Sequence, residues 1–127
     1  MRSVAVRFAA VTTVFAVNEG VYLEPGGFWL EPRIDHTMLV AVTSNSVKLV
    51  LRNTPVENRV TVTIDKWRKE VTLAPNEQVE IEAPAARGGR GQPLVLMRIR
   101  VANGVRPADL DPRSGDRRLL GLWVEMR

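Results

Sequence analysis

Apolar and polar positions alternate with a period of two along most of this 127-residue chain, the pattern of strands with one face buried and one in water. Val4, Val6 and Phe8 alternate with Ala5, Arg7 and Ala9, and Val60, Val62 and Ile64 with Thr61 and Thr63. Val79 and Ile81 alternate with Glu80 and Glu82, so that strand has a wet face. Further strands are expected over 14–17, 21–23, 38–43, 47–52, 67–73, 94–101 and 119–126. The punctuation between them is turn-forming: Asn18-Glu19-Gly20, Glu24-Pro25-Gly26-Gly27, Asp65-Lys66 and Ala74-Pro75-Asn76-Glu77. Ser44-Asn45-Ser46 reads as the loop of a hairpin. No helical stretch longer than a turn or two is expected.

Roughly nine or ten strands at spacings of about 8–12 residues predict an all-β fold. One-sided burial favours antiparallel sheets, and two of them packed face to face give a β-sandwich with Greek-key or jelly-roll connections. No linker or repeat divides the chain, so residues 1–127 are read as one domain. The apolar segment 3–17 is interrupted by Arg7, is rich in Val and Thr, and is shorter than the roughly 20 residues of a membrane-spanning helix. A strand pair is the expected form, with neither signal peptide nor membrane span.

Composition narrows the chemistry. With no cysteine there is no disulfide framework, thiolate nucleophile or thiolate metal site. The net charge of +4 is dispersed among acids, which is weak support for a specific nucleic-acid partner. His36 is the lone histidine and has no glycine-flanked serine to join it in a triad, so it is expected at a surface strand end. Asp109, Asp111 and Asp116 share one loop in which calcium is conceivable. Their spacing departs from the EF-hand, however, and Arg113, Arg117 and Arg118 offset their charge; caps and salt bridges are the expected roles, with no metal or other cofactor. Arg87-Gly88-Gly89-Arg90-Gly91 lacks the lysine and strand-to-helix setting of a phosphate-binding loop and is expected to be a plain loop. Glu24, Glu31 and Glu57 are the acids from which a hydrolase pair would have to come, and the sequence brings no two of them together. No catalytic residue is assigned.

The aromatic residues are few enough to take singly. Phe28 and Trp29 are adjacent, so they point to opposite faces of a strand: one is expected in the core, the other exposed beside Tyr22. Trp123, within Leu119-Leu120-Gly121-Leu122-Trp123-Val124, is expected in the core. Trp67 lies in Lys66-Trp67-Arg68-Lys69, flanked by charge. Tyr22, Trp29 and Trp67 are therefore the candidate carbohydrate-binding residues, because flat rings stack on sugar faces. Gly121 inside a strand signals a bulge or the close approach of another backbone. Asp116 is placed to accept hydrogen bonds from turn amides or to pair with Arg118 or Arg106.

The run Gly104-Val105-Arg106-Pro107-Ala108-Asp109, followed by Asp116-Arg117-Arg118-Leu119-Leu120-Gly121-Leu122-Trp123-Val124, resembles the close of accessory β-sandwich domains in bacterial cell-envelope glycan-assembly proteins. These include glycosyltransferases and polytopic membrane proteins that end in a (F/V)-x-P … D-x-R-x-L-G-(L/V) pattern. Gly20 to Trp29 is similar to how such domains begin. The resemblance implies a non-catalytic module of the cell envelope that binds carbohydrate or docks onto an envelope protein. Two other readings stand beside it. One is an interaction or assembly module, including a homo-oligomer, that pairs through the apolar segment from Val4 to Val17. The other is a small hydrolase.

Overall fold

The computed structural model describes residues 4–8, 12–16, 18–42, 46–84 and 94–127. Its strands are β1 (Val4–Phe8), β2 (Thr12–Ala16), β3 (Val21–Glu24), β4 (Gly27–Leu30), β5 (Asp35–Val42), β6 (Ser46–Asn53), β7 (Asn58–Ile64), β8 (Trp67–Leu73), β9 (Gln78–Pro84), β10 (Leu94–Val101) and β11 (Leu122–Met126). A single helical turn, α1 (Pro107–Leu110), precedes β11. They form two sheets. Sheet A has the order β1-β2-β5-β10-β7-β8 and sheet B the order β3-β4-β11-β6-β9. Every pairing is antiparallel. The protein is thus an all-β, two-sheet antiparallel sandwich, as the alternation predicts.

Three hairpins stay within a sheet: β1–β2, β3–β4 and β7–β8. The β3–β4 and β7–β8 turns carry the expected chemistry: Gly26 and Asp65 there have φ of 88° and 50°. The other connections between successive described strands cross from one sheet to the other. The expected hairpin around residues 44–46 is a correction of this kind. Strand β5 pairs with β2 and β10 in sheet A, whereas β6 pairs with β11 and β9 in sheet B. Met38 and Val40 of β5 and Val47, Leu49 and Leu51 of β6 all belong to the core between the sheets. A hairpin would have put both apolar faces on one sheet and left the opposing layer to other strands. Residues 44 and 45, and the glycine loop 87–91, lie outside the described residues.

One apolar cluster holds the layers together. Val60, Val62, Ile64, Met97 and Ile99 face it from sheet A, and Phe28, Leu30, Leu122, Val124 and Met126 from sheet B. Each such side chain stabilises the sandwich by about 1.5–3 kcal/mol through burial. His36 is not at the surface: it shares the phase of Met38 and Val40 and is fully buried. Its Nε2 lies 2.6 Å from the Glu31 carbonyl oxygen. Burial holds its pKa below the ordinary 6.5, so the ring is neutral and Nε2–H is the donor.

A second, polar knot closes the sandwich near the start of β7. Asn58, 3% exposed, donates through Nδ2 to Asn53 Oδ1 (3.0 Å), to the Asn103 carbonyl (2.9 Å) and to the Gly121 carbonyl (3.1 Å). Its Oδ1 accepts from the amides of Arg59 and Asn103. One side chain therefore ties β6, β7, the segment after β10 and the approach to β11.

Candidate aromatic face and tail groove

Register determines which side chains share the outer face of sheet B. Tyr22 stands opposite Trp29, Trp29 opposite Trp123, Trp123 opposite Arg52, and Arg52 opposite Gln78. Each pair is a cross-strand neighbour on one face, so the five form a row across the whole sheet. Tyr22, Trp29 and Trp123 are half-buried, and Arg52 and Gln78 are exposed. The Trp29 and Trp123 rings meet at 5.2 Å between centroids with a 57° tilt, within the range of favourable aromatic pairs.

Glycine at position 27 makes room for this arrangement. A Cβ there would lie 2.5 Å from Trp123 Cζ2 and 2.6 Å from the Val124 carbonyl oxygen. The indole thus lies directly over the backbone of β4. Trp123 Nε1 donates to Glu125 Oε1 at 2.9 Å. That bond, helped by Arg127 and Arg52, holds the Glu125 carboxyl below its ordinary pKa. Val50, outward by register and opposite Glu125, is only 2% exposed, so the charged side chains here cover a small apolar floor.

The segment between β10 and β11 builds the wall beside this row. Val105 and Leu120 exchange two backbone hydrogen bonds of 2.8 Å, closing residues 106–119 into a loop that contains α1. Arg118 anchors that loop to the sheet. Its Nε and Nη2 bind Asp116 at 2.9 and 2.8 Å, Nη2 also reaches Glu24 Oε2 at 3.0 Å, and the guanidinium lies 5.2 Å from the Tyr22 ring centroid. The Arg118 hydrogen bonds lower the Asp116 pKa and, reciprocally, raise that of the guanidinium. Between loop and sheet runs an open groove of about 610 Å³, lined by Glu24, Trp29, Arg52, Leu110, Asp116 and Arg118 among others. That volume lies within the range of about 300–1,000 Å³ usual for small-molecule sites.

The three aromatic candidates therefore separate. Tyr22 and Trp29 come together on sheet B, as the adjacency of Phe28 (fully buried) and Trp29 predicts. Trp67 opens β8, an edge strand of sheet A, and packs against the core beside Val71. Trp123 is a correction: the core takes Leu122 and Val124, and Trp123 faces outward with Glu125. Apolar neighbours on both sides disguised it, although the period of two after Leu122 already gave its phase. Gly121 does mark a close approach, since a Cβ there would lie 2.9 Å from Val101 Cγ1 and 3.0 Å from the Leu30 carbonyl oxygen.

The acids are dispersed. Glu24 lines the groove, whereas Glu57 lines a separate depression with Asn58 and Asn103. Asp111 accepts from the Arg113 amide and guanidinium, Asp116 is held by Arg118, and Asp109 is exposed. Among the described residues no group of three or more His, Asp or Glu gathers as a metal site, and no helix is long and apolar enough to cross a membrane. No protein-family model matches the chain, and neither a curated protein nor a solved structure matches it.

Proposed function

We propose that this protein is a non-catalytic carbohydrate-binding module whose sugar site is the aromatic face of sheet B and the adjoining groove. The observation that carries the reading is the cross-strand row Tyr22–Trp29–Trp123, which runs beside a groove fringed with fixed hydrogen-bonding groups. Apolar C–H faces of a sugar stack on such rings, and its hydroxyls need donors and acceptors held in place at the rim. Glu24, Asp116, Arg118 and Arg52 supply both kinds. Because Arg118 is already matched by two carboxylates, the site favours a neutral saccharide over an acidic one. Trp29, the ring that lines the groove, is the principal stacking residue, and Trp123 buttresses it. The resemblance of its closing segment supports reading the module as an accessory domain beside glycan assembly in the bacterial cell envelope. A glycan array washed at low and near-physiological salt tests the reading. Salt-resistant binding to a defined neutral sugar supports it; a blank array, or binding only to polyanions that salt removes, sinks it.

One observation favours a second reading. Strand β1 is the edge of sheet A, paired only with β2 among the described strands, an arrangement that suits strand addition from a partner or a second copy on its other side. Light scattering over a concentration series distinguishes this, because an obligate sheet-edge dimer would hold its mass on dilution and a monomer would show half of it.

A further inference from the structure

The outer face of sheet A carries a different chemistry from that of sheet B. Two cross-strand rows lie side by side in its centre: Thr37–Arg98–Thr63–Arg68 and Asp35–Arg100–Thr61–Glu70. Arg98, Arg100 and Arg68 are exposed, while the three threonines between them are half-buried. The carboxylates are already engaged: Asp35 with Arg100 at 3.1 Å, and Glu70 with Arg59 at 3.4 Å and Arg68 at 3.7 Å. Arg98 has no carboxylate partner among the described residues. It sits between the threonines of both neighbouring strands, beside an open depression of about 250 Å³ lined by Asp35, Thr61, Thr63, Arg68, Arg98 and Arg100.

We propose that this depression binds a phosphate-type oxyanion, either free or as the phosphoryl group of a larger ligand. A guanidinium presents a planar fork of donors that fits two oxygens of such a group, and threonine hydroxyls complete its coordination from the sides. Arg98 is the primary ligand because its charge is unmatched. Arg68 and Arg100, held in position by their carboxylates, add further N–H donors beside it. The site is on the opposite layer from the sugar-binding face and stands independently of it.

The test is a titration of the full chain with inorganic phosphate and, in parallel, with glycerol phosphate, following backbone amide shifts by NMR at constant ionic strength set with chloride. Saturable shifts centred on Thr61, Thr63 and Arg98 are expected, with binding about tenfold weaker in Arg98→Gln, the loss of roughly one charge-assisted contact. Arg113→Gln removes the same charge from the loop before β11 and is expected to bind as the unaltered protein does. Tighter binding of glycerol phosphate identifies a phosphoryl ester as the ligand, and equal or tighter binding of inorganic phosphate a free anion. Absence of saturable shifts, unchanged affinity in Arg98→Gln, or an equal loss in Arg113→Gln would overturn the proposal.

Discussion

Asn58→Ala removes the side chain on which four separate segments converge. The amide's two hydrogens serve three acceptors, and its oxygen takes two backbone N–H groups. Truncation at a site 3% exposed deletes about four hydrogen bonds and leaves their partners dry, at about 1 kcal/mol each. With some recovery as water enters, the expected loss is about 3–4 kcal/mol, a large part of a typical domain's 5–15 kcal/mol stability. Urea denaturation followed by tryptophan fluorescence measures it. Asn58→Asp is the diagnostic companion. At neutral pH its carboxylate faces the Asn103 and Gly121 carbonyls without a hydrogen to donate, so it is expected to be at least as damaging. Protonation in acid restores one donor and part of the stability. Pairing Asn58→Ala with Asn53→Ala should give a combined loss smaller than the sum by about 1 kcal/mol, because the two side chains share a bond. A loss for Asn58→Ala within about 1 kcal/mol would refute the idea that this knot holds the sandwich closed.

Three further expectations follow from the same geometry. Gly27→Ala forces a methyl into the Trp123 ring and the Val124 carbonyl; it should cost about 1–3 kcal/mol in thermal denaturation and alter tryptophan fluorescence, and unchanged emission would contradict the stacking of Trp123 on β4. His36 has a folded pKa below 6.5 through burial, so its contribution is fully present above pH 6.5 and is lost as pH falls toward the lowered folded value, where the unfolded chain binds a proton the folded one refuses; His36→Gln should flatten that part of the stability profile, and an unaltered profile would count against a neutral, buried ring. Arg118→Gln releases the loop from Glu24 and Asp116, so the Ala108 amide, which donates to the Asp116 carbonyl at 2.8 Å, should exchange faster with deuterium while the amides of β7 and β10 do not; uniform protection would show that the loop is held by other means.

The layers of this protein could be read from its sequence because burial imposes a phase on every strand. That Phe28 and Trp29 lie on opposite faces follows from adjacency alone, with Phe28 taking the core, and Gly121 and Asp116 act as their local chemistry predicts. The same phase would have placed His36 inward with Met38 and Val40, and Trp67 inward with Val71 and Leu73. Flanking charge in Lys66-Trp67-Arg68-Lys69 pointed the other way for Trp67, and a place at the start of a strand did so for His36. The pairing of strands was less legible. A short polar loop serves a hairpin and a sheet-to-sheet crossing equally well, which is why β5 and β6 were expected side by side. Asn53 and Asn58 gave no signal at all: each resembles an ordinary turn residue until the topology brings residues 103 and 121 to them. The row Tyr22–Trp29–Trp123 joins strands that are distant along the chain, and only register reveals it.

Saturation-transfer NMR between the protein and a panel of neutral saccharides, run on the unaltered chain and on Trp29→Ala, tests the central claim most directly. Transfer to the C–H protons on one face of a sugar, lost in Trp29→Ala while the amide spectrum of the rest of the chain persists, is the result expected of a sugar stacked on the sheet B face. No transfer to any saccharide, or equal transfer with and without the indole, would contradict it.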